Sequence, residues 1–480
     1  MWCLISQNDD CLKARSGCRW AMTLLRETFS SLCGVPKGGA LLSALLFRLV
    51  LFADGVALKT VDDCTWLYTV KSGVVTVSSV WPIRESMEVP EQLDGCPVVA
   101  LKDSFCSGSP DLVSVKIPCT VTSIGRSAFS DCQNLKSVVM PSSVNSMGYG
   151  AFSRCPQLID ADGLTMVGDW LCGYFGTSSQ LVLPGCVHKI VDYAISSATL
   201  REIEIGSELM NIGVGAFTGC SALERIDVNV ENMLYASIDG VLYDKDVSVL
   251  LSCPARKRSV MIPSKVKVIA GFFDACEELA VIDVDSDNAV YKDIDGILYS
   301  KNGTKLLRCP RGKDSVSISV GTTELGEFAF ADCNRLETVV VPEGVEVFES
   351  AVFSHCENLE AVFLPATLKS MSELVFDGCA SLRMINVAEE NQKYSSIDGV
   401  LYDRERTTLL ALPPGITHYA IPSGVTSIGY PGFYHCKKLK TVAIPDSLTN
   451  IHSGAFNLCD ITSIEIPDSV TSIGSYAFSN

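Results

Sequence analysis

Cysteine is the residue type that could carry the most chemistry in this chain, since a thiol can form a disulfide, bind zinc or attack a substrate. The chain has 21 cysteines in 480 residues, but no two are three positions apart, so the C-x-x-C unit of zinc sites and thiol–disulfide enzymes is missing. Nine cysteines recur at one position of a repeat, which predicts a column of buried free thiols that behave as small apolar side chains. These nine are Cys132, Cys155, Cys220, Cys276, Cys333, Cys356, Cys379, Cys436 and Cys459. The other twelve could pair in an oxidising compartment, with a connectivity that the sequence leaves open.

Histidines and recurring aspartates are the next candidates for chemistry. The five histidines lie far apart in the sequence, which favours a surface role over metal binding for residues such as His355 and His435. An aspartate recurs in three similar segments, but each segment has too few neighbouring acids for the six to eight oxygens of a calcium site. A turn role is therefore predicted for these three residues, Asp239, Asp295 and Asp398.

Glycine-rich and nucleophile motifs give no better candidate. Residues 213–219 approach a dinucleotide fingerprint, but the third glycine comes one residue late. The G-x-S-x-G, H-E-x-x-H and P-loop motifs do not occur. No catalytic residue, cofactor or metal is predicted, so the chain is interpreted as a non-enzyme.

A repeat of about 23 residues organises the chain. Its skeleton is V-x-x-I-G-x-x-A-F-x-x-C-x-x-L-x-x-V-x-I-P, as in residues 121–141, and copies start at 98, 121, 144, 187, 209, 266, 322, 345, 368, 425, 448 and 470. A unit this short cannot bury its own apolar face and must stack on its neighbours. The fold class predicted is a repeat solenoid, a superhelix with a β-strand and a short helical turn in each coil of 22–23 residues.

Each half of the repeat predicts one element. The L-x-x-V-x-I-P half alternates apolar and polar residues, which predicts a short strand that ends at proline. The I-G-x-x-A-F-x-x-C half has apolar residues four and eight positions after the isoleucine, which predicts a helical turn with glycine at a sharp corner. Stacking then predicts a buried phenylalanine column of Phe129, Phe152, Phe217, Phe273, Phe330, Phe353, Phe376, Phe433, Phe456 and Phe478.

Four longer spacings interrupt the repeat, near residues 160–180, 229–254, 285–310 and 387–413. The last three contain the similar stretches SIDGVLY, DIDGILY and SIDGVLY, each followed by a polar turn and a second apolar run ending in proline. Two β-prone runs around a polar turn predict an inserted β-hairpin that projects from one edge of the solenoid.

The region before the repeats divides into a leader, residues 1–57, and a cap, residues 58–97. Residues 39–53 form an apolar run interrupted by Arg48, too short for a membrane-spanning helix, and predict a secretory signal. A helix buried on the first coil is the alternative. Residues 58–97 predict a β cap with a hairpin turn at Lys71-Ser72-Gly73, since the end of a solenoid needs covering. The repeats then fill 98–480.

The charge balance excludes one class of partner. The formal net charge is −17 and basic residues are not concentrated anywhere, whereas nucleic-acid binding depends on basic patches. The repeat region has no predicted membrane span, and the oligomeric state is left open.

Over roughly residues 97–480 the coil and the S-I-D-G-V-L-Y segment resemble the BspA-type leucine-rich repeats. The resemblance implies a right-handed leucine-rich-repeat solenoid that is extracellular or at the cell surface, with adhesion or binding of host or matrix proteins as in some members. It implies no catalytic residues. The chain departs from the pattern in residues 187–200, where Ala198 replaces the cysteine.

A ligand surface is predicted from the middle residue of each strand, which points away from the core. The middle coils carry acids in this row, and two later coils carry an apolar spot flanked by a methionine. An exposed aromatic with apolar neighbours is typical of an interaction anchor, although it is also found as ordinary surface scatter. The predicted surface comprises Phe363, Val340, Met384, Glu204, Asp227 and Asp283. The alternative function is a structural spacer of a longer surface protein.

Overall fold

The computed structural model describes residues 56–273 and 275–479. They form two compact units. The first contains the described residues up to Ala161 together with Thr165–Gly168, and the second contains Asp162–Leu164 and the residues from Asp169 onward. The apolar run predicted as a secretory signal, residues 39–53, lies outside the described residues.

The first unit is built from ten strands. In chain order they are β1 (Val56–Val61), β2 (Cys64–Lys71), β3 (Val74–Trp81), β4 (Ser86–Glu88), β5 (Gln92–Leu93), β6 (Cys96–Leu101), β7 (Ser114–Lys116), β8 (Ser123–Ile124), β9 (Ser137–Val139) and β10 (Ser146–Met147). One sheet has the order β1-β2-β3-β6-β8-β10, with β5 pairing β6 at its side, and the other has the order β4-β7-β9.

The N-terminal hairpin predicted from the sequence is confirmed. Strands β2 and β3 are antiparallel, and Lys71 pairs with Val74 around Ser72 and Gly73. Both turn residues have positive φ, as the two-residue turn that suits twisted strands requires. Strand β3 then pairs in parallel with β6, so the hairpin continues into the ladder of the first coils.

The second unit repeats the same plan over a longer stretch, after β11 (Leu164–Val167), which spans the boundary between the units in the sequence. Its strands up to the coil at 266 are β12 (Trp170–Tyr174), β13 (Gln180–Val182), β14 (Lys189–Ile190), β15 (Glu202–Ile205), β16 (Asn211–Ile212), β17 (Arg225–Val228), β18 (Tyr235–Ile238), β19 (Val241–Asp244), β20 (Val249–Ser252), β21 (Ser259–Ile262), β22 (Val268–Ile269) and β23 (Val281–Val284).

The rest of the second unit contains seventeen further strands. They are β24 (Tyr291–Ile294), β25 (Ile297–Ser300), β26 (Lys305–Arg308), β27 (Glu324–Leu325), β28 (Thr338–Val340), β29 (Val347–Phe348), β30 (Ala361–Leu364), β31 (Ser370–Met371), β32 (Met384–Val387), β33 (Tyr394–Ile397), β34 (Val400–Asp403), β35 (Thr408–Ala411), β36 (His418–Ala420), β37 (Ser427–Ile428), β38 (Thr441–Ala443), β39 (Asn450–Ile451) and β40 (Ser472–Ile473).

Coils within each unit stack through parallel strands, which makes the repeats a β-solenoid. The strands predicted from L-x-x-V-x-I-P are present in most coils; β28, β30 and β32 pair in register, with Val339, Val362 and Ile385 side by side and buried. The isoleucine position of each coil and the residue before it form a second parallel ladder, for example β27-β29-β31. This second ladder was not predicted.

The predicted helical turn is wrong. Within the described residues there is no α-helix, and the helical elements are two short 3-10 helices, Pro156–Leu158 and Gly271–Phe273. In the segment after I-G, backbone N–H groups donate to the next coil: Phe330 N donates to Val352 O at 2.8 Å, and Phe353 N to Val375 O at 2.9 Å. A backbone that satisfies its donors in the neighbouring coil forms stacked turns instead of a helix.

Glycine in the I-G pair is required by close approach between coils. A Cβ built on Gly125 would collide with the backbone of Lys102 and Asp103 in the preceding coil. The backbone at Gly125 does not have positive φ. The expected role of this glycine, to permit a sharp corner, is therefore replaced by a steric one.

The predicted phenylalanine and cysteine columns lie in the core. Phe353 is fully buried, and its ring stacks on Phe330 at 5.2 Å and on Phe376 at 5.8 Å between centroids. All nine column cysteines are free and buried. Phe478 is the exception among the phenylalanines: it stacks on Phe456 at 5.1 Å but is 42% exposed, since no described coil covers its outer side.

The three long inserts differ from the predicted projecting hairpins. Each is a three-stranded antiparallel sheet, with β18-β19-β20 in the first insert, β24-β25-β26 in the second and β33-β34-β35 in the third. The last strand of each pairs in parallel with the next coil, as in Thr408 with Ser427. The middle strand is buried at Val400, Leu401 and Tyr402. The inserts are therefore enlarged coils within the stack, and the prediction that they project is wrong.

A buried asparagine ties each insert to the coil before it. In the third insert Asn391 Nδ2 donates to the carbonyls of Pro365 and Leu368 at 2.9 and 3.0 Å. Its Oδ1 accepts from the amides of Lys393 and Tyr394 at 2.9 and 2.8 Å. All four hydrogen bonds of the side-chain amide are thus made. The equivalent residues, also without solvent exposure, are Asn232 and Asn288.

Candidate functional site

The predicted apolar spot lies on the sheet β28-β30-β32. Val340 pairs with Phe363, and Phe363 with Asn386, on successive parallel strands. Met384 pairs with Ala361 and points to the same side of the sheet, since it is two residues from Asn386. Val340 is 62% and Met384 42% exposed, while Phe363 is half-buried between its neighbours. We call Val340, Ala361, Phe363 and Met384 the apolar patch.

The predicted acidic row is only partly continuous. Glu204 pairs directly with Asp227 on β15 and β17. Glu204 accepts a hydrogen bond from Gln180 Nε2 at 3.0 Å. Asp227 forms an ion pair with Arg225 in its own strand, at 2.6 Å between Nε and Oδ2, and its hydrogen bond to that guanidinium raises the pKa of Arg225. Part of the negative charge of the row is therefore already balanced.

Asp283 does not belong to that row, which corrects the expectation of one acidic strip. It lies on β23 in a separate two-stranded sheet, beside Met261 of β21. The first insert separates the two sheets, because the amide of Ile226 in β17 donates to Gly240 of the insert at 2.8 Å. The predicted row placed Asp227 of β17 directly before Asp283 of β23 and left out both the insert strands and β21, which lie between them in the chain.

The recurring aspartates occupy hairpin turns, as predicted. Asp239 and Gly240 both have positive φ between β18 and β19. Aspartate followed by glycine is preferred in such turns because both residues tolerate that backbone region. Among the side chains of residues 56–273 and 275–479, no group of three histidine, cysteine, aspartate or glutamate residues could hold a metal ion.

Each column thiol also bonds to the preceding coil. Cys356 Sγ donates to Phe330 O at 2.9 Å and Cys379 Sγ to Phe353 O at 2.9 Å. Burial raises the pKa of the Cys356 thiol well above its ordinary value, so the reactive thiolate is suppressed. The other seven make corresponding bonds of 2.8–3.7 Å; they are Cys132, Cys155, Cys220, Cys276, Cys333, Cys436 and Cys459.

A cleft of about 470 Å³, which the sequence did not predict, opens in the second unit beside the third insert. Its walls are the turn segments of the coils that start at 368 and 425, together with residues from all three strands of the third insert. His435, for which a surface role was expected, is half-buried at this cleft and bonds Asp377 across these coils at 2.6 Å, Nδ1 to Oδ1. We call this space the insert cleft.

The insert cleft has apolar walls and a tyrosine pair. Leu374, Leu410 and Ala411 contribute apolar surface. The rings of Tyr430 and Tyr434 meet edge to face, with centroids 6.1 Å apart at 69°. The charged residues that line the cleft are Glu373, Asp377, Lys393, Asp403 and Glu405.

Stacked coils of about 23 residues, paired through two parallel ladders, define the chain as a β-solenoid repeat protein. Within that class it belongs to the BspA-type leucine-rich repeat family: the pattern described as "BspA type Leucine rich repeat region" matches six copies, over residues 100–224, 311–398 and 414–480.

Several solved structures are similar to this chain. A leucine rich cell surface protein from Faecalibacterium prausnitzii is 25% identical, with a TM-score of 0.40, over 70% of this chain and 96% of that one. A leucine-rich repeat protein from Eubacterium ventriosum is 20% identical, with a TM-score of 0.33, over 87% and 93%. The pneumococcal vaccine antigen PcpA is 18% identical, with a TM-score of 0.34, over 87% and 93%.

No protein with a curated description matches the chain. Within the part of the chain that the structure describes, no helix has the length and apolar character needed to cross a membrane.

Proposed function

We propose that this protein is a non-enzymatic binding protein whose solenoid presents the apolar patch to a protein ligand. The observation that carries the proposal is the pairing of Val340 with Phe363 on adjacent parallel strands, with Met384 on the same side. Strands in register hold these side chains in fixed positions, so little conformational entropy is lost when a ligand covers them. Aromatic and apolar anchors of this kind dominate the affinity of protein interfaces.

Membership of the BspA-type family supports a protein ligand, since the family fold presents an extended surface. Host and matrix proteins are the ligands that the family resemblance favours, in an adhesion-type role. The carboxylate of Glu204, which accepts a hydrogen bond from the neutral side chain of Gln180, lies beside Asp227 and favours a basic region on the partner, as a secondary contribution to specificity.

The proposed location is outside the cell, either released or at the cell surface. The apolar run in residues 39–53 supports it, as does the family resemblance. The test is N-terminal sequencing of the mature protein in its native host. A mature chain that begins near residue 54 or 58 is expected, and a cytoplasmic chain that retains Met1 or Met22 would refute export.

The binding test starts with a pull-down of the full chain against extracellular-matrix and cell-surface proteins. Variants Phe363→Ser and Val340→Ser are then compared for affinity to the captured protein. Each should weaken binding by about tenfold or more, as loss of a central anchor does. Val139→Ser is the matched control, because Val139 is 58% exposed and lies at the outward position of β9, which does not pair with the strands of the patch or of the acidic row.

Two outcomes would contradict this assignment. One is unchanged affinity in both patch variants while thermal unfolding shows that they are folded. The other is an equal loss in Val139→Ser, which would mean that the loss is not specific to the patch. Failure of the chain to capture any such protein would favour the structural spacer.

A further inference from the structure

The insert cleft exists because the third insert lacks a turn segment with a phenylalanine and a cysteine. In regular coils these segments stack directly, as when His355 N donates to Asp377 O at 2.7 Å. Between the turn segments of the coils that start at 368 and 425 the insert places the end of β35, where Leu412 N donates to Gly432 O at 2.7 Å. Residues of its other strands, such as Tyr394 and Leu401, also line the space. Room is left between the two turn segments, and the cleft of about 470 Å³ occupies it.

The second insert shows what fills this position when the molecule supplies it. Strands β26 and β35 are equivalent in register: Arg308 pairs with Leu298 as Ala411 pairs with Leu401. Arg308 is buried, and its guanidinium donates to the carbonyl of Phe328. The third insert has alanine at this position and so lacks the side chain that occupies it in the second.

A second arginine of the second insert, three residues after Arg308, is also missing from the third insert. In the second insert Arg311 forms an ion pair with Asp332 at 3.3 Å. The corresponding residue of the third insert is Pro414, which lines the insert cleft. The third insert therefore lacks both cationic side chains that the second provides.

The acceptor for a cation is retained in the third insert. Pro431 takes the place of Phe328 in the following coil, and both carbonyls accept one amide three residues later, from Tyr434 and Ala331 respectively. A carbonyl oxygen has two lone pairs, so a second donor can bond to Pro431 as Arg308 does to Phe328.

The electrostatics of the insert cleft favour positive charge. Four carboxylates line it against the single ammonium of Lys393. Of the four, Asp403 is held by its own turn, where Thr407 N and Thr408 N donate to Oδ1. Glu373 and Glu405 are exposed at the rim, and Asp377 lies deeper, bonded to His435.

The pKa values of the two tyrosine hydroxyls are also affected by the carboxylates of the insert cleft. Burial raises the pKa of Tyr430, and the charges of Glu373 and Asp377 raise it further. Burial and then the charge of Asp377 raise the pKa of Tyr434 in the same way. Burial disfavours any charge, but the contribution of the two carboxylates shows a negative potential at the tyrosine pair, which favours a cation. The ring faces add a cation–π attraction.

We propose that the insert cleft binds an arginine or lysine side chain presented by a protein partner. The apolar stem lies along Leu410 and Ala411, and the charged end meets the Pro431 carbonyl and the carboxylates of Glu373 and Asp377. The partner thus supplies in trans the group that Arg308 supplies in cis in the second insert. The site is independent of the apolar patch, and either can exist without the other.

The test uses the full chain with methyl-¹³C methionine, which gives separate reporters for the two sites. Met371 lines the insert cleft and Met384 belongs to the apolar patch. The probes are Nα-acetylarginine methylamide, the lysine analogue and Nα-acetylcitrulline methylamide, the neutral isostere of the first. The two cations should shift the Met371 methyl signal with a dissociation constant on the order of millimolar, as small ligands of this size allow. Citrulline should bind about tenfold more weakly.

Two substitutions locate the binding. Ala411→Arg places a guanidinium where the second insert has one and should weaken binding of the arginine probe by about tenfold or more, because the position is then occupied. Ser252→Arg is the matched control, since Ser252 holds the equivalent position in the first insert and adds the same charge. It should leave the Met371 titration unchanged. Glu373→Gln, at an exposed position, should weaken binding by about threefold and provides a test if Ala411→Arg does not fold.

Three results would overturn the proposal. They are equal binding of citrulline and arginine, full affinity in a folded Ala411→Arg variant, and no shift of Met371 at the highest soluble probe concentration. A shift of Met384 without one of Met371 would also refute the cleft, while leaving the function proposed for the apolar patch intact.

Discussion

Regular coils and insert coils bury their interiors in different ways. A regular coil such as the one at 345 contributes to columns, where Phe353 stacks on two phenylalanines and Cys356 bonds a carbonyl of the coil before. An insert coil contributes no phenylalanine to those columns and buries instead the residues of its middle strand, such as Tyr402, together with one asparagine, Asn391. The first arrangement distributes its hydrogen bonds over equivalent positions in successive coils, whereas the second makes four of them with the side chain of Asn391.

The largest loss of unfolding free energy is expected from removing the hydrogen bonds of Asn391. Asn391→Leu keeps a similar volume but leaves two carbonyls and two amides without partners at a site with no solvent exposure. At roughly 1–2 kcal/mol for each unpaired buried group, the variant should lose about 4–8 kcal/mol of unfolding free energy. Chemical denaturation followed by circular dichroism measures it. A loss below that of Phe353→Ala would mean that the asparagine is not the main attachment of the insert.

The next largest effect is expected in a column. Phe353→Ala removes a fully buried ring from between Phe330 and Phe376 and should cost about 3–5 kcal/mol, as large aromatic deletions do in packed cores. Phe478→Ala is the matched control, since that ring is partly exposed and has a described neighbour on one side. Equal losses at the two positions would contradict the column account.

A smaller effect is expected at the thiols. Cys356→Ala removes one weak hydrogen bond and one sulfur atom, and should cost about 1–2 kcal/mol. Cys356→Ser keeps a donor at the same place, so its loss should come from the poorer burial of a hydroxyl. Thiol labelling of the native protein offers a second check, with the exposed Cys119 and Cys186 expected to react and the nine column cysteines expected to resist. Reaction of the column thiols in the folded state would refute their burial.

The smallest effect is expected in the pH dependence of stability, where the carboxylate of Asp403 distinguishes the third insert from the second. Burial opposes ionisation of Asp403, but hydrogen bonds from Thr408 and Thr407 outweigh it and hold the pKa below its ordinary value. A depressed carboxyl pKa contributes stability above the unfolded value, about 3.9, and this stability is lost as the pH falls through the folded value. Asp403→Asn should therefore cost up to about 1 kcal/mol near neutral pH and flatten the acid limb of the stability curve.

Ser300 provides the control for that experiment. It takes the place of Asp403 in the second insert and accepts the amide of Lys305 with a neutral hydroxyl, at 3.1 Å. Ser300→Ala should lower stability by the same amount at every pH. A pH-dependent loss in Ser300→Ala, or a pH-independent one in Asp403→Asn, would contradict the assignment.

The strands and columns could be predicted because the same apolar positions recur in every coil. The stacked turns could not, since residues such as Ser127 and Asp131 adopt positive φ without being glycine, so that no composition signal marks them. Their apolar spacing resembles a helix while their amides bond the next coil. The asparagines were visible as N-x-x-Y at the start of each insert, as at Asn391 and Tyr394, but a polar residue there suggests a loop unless its four bonds are known.

The candidate sites also differ in how far the repeat register predicts them. The proximity of Val340 and Phe363 follows from the repeat register alone. The position of Asp283 did not, because the intervening insert strands count as part of the stack. The insert cleft could have been suspected by aligning the inserts with one another, since Arg308 and Arg311 of the second become Ala411 and Pro414 in the third. The sequence alone does not show that Ala411 borders an open space, because this depends on the distance between the two turn segments.

The bonds between coils also have a consequence for the gene. A regular coil with a column cysteine donates a thiol hydrogen bond to the coil before it and backbone hydrogen bonds to the coil after it, as Cys356 and Phe353 do. A recombination event that duplicates or deletes one whole coil therefore leaves every donor with an acceptor of the same kind. A deletion of a few codons within a coil shifts every downstream partner and is selected against. Length variation among related genes should accordingly fall in steps of one whole repeat.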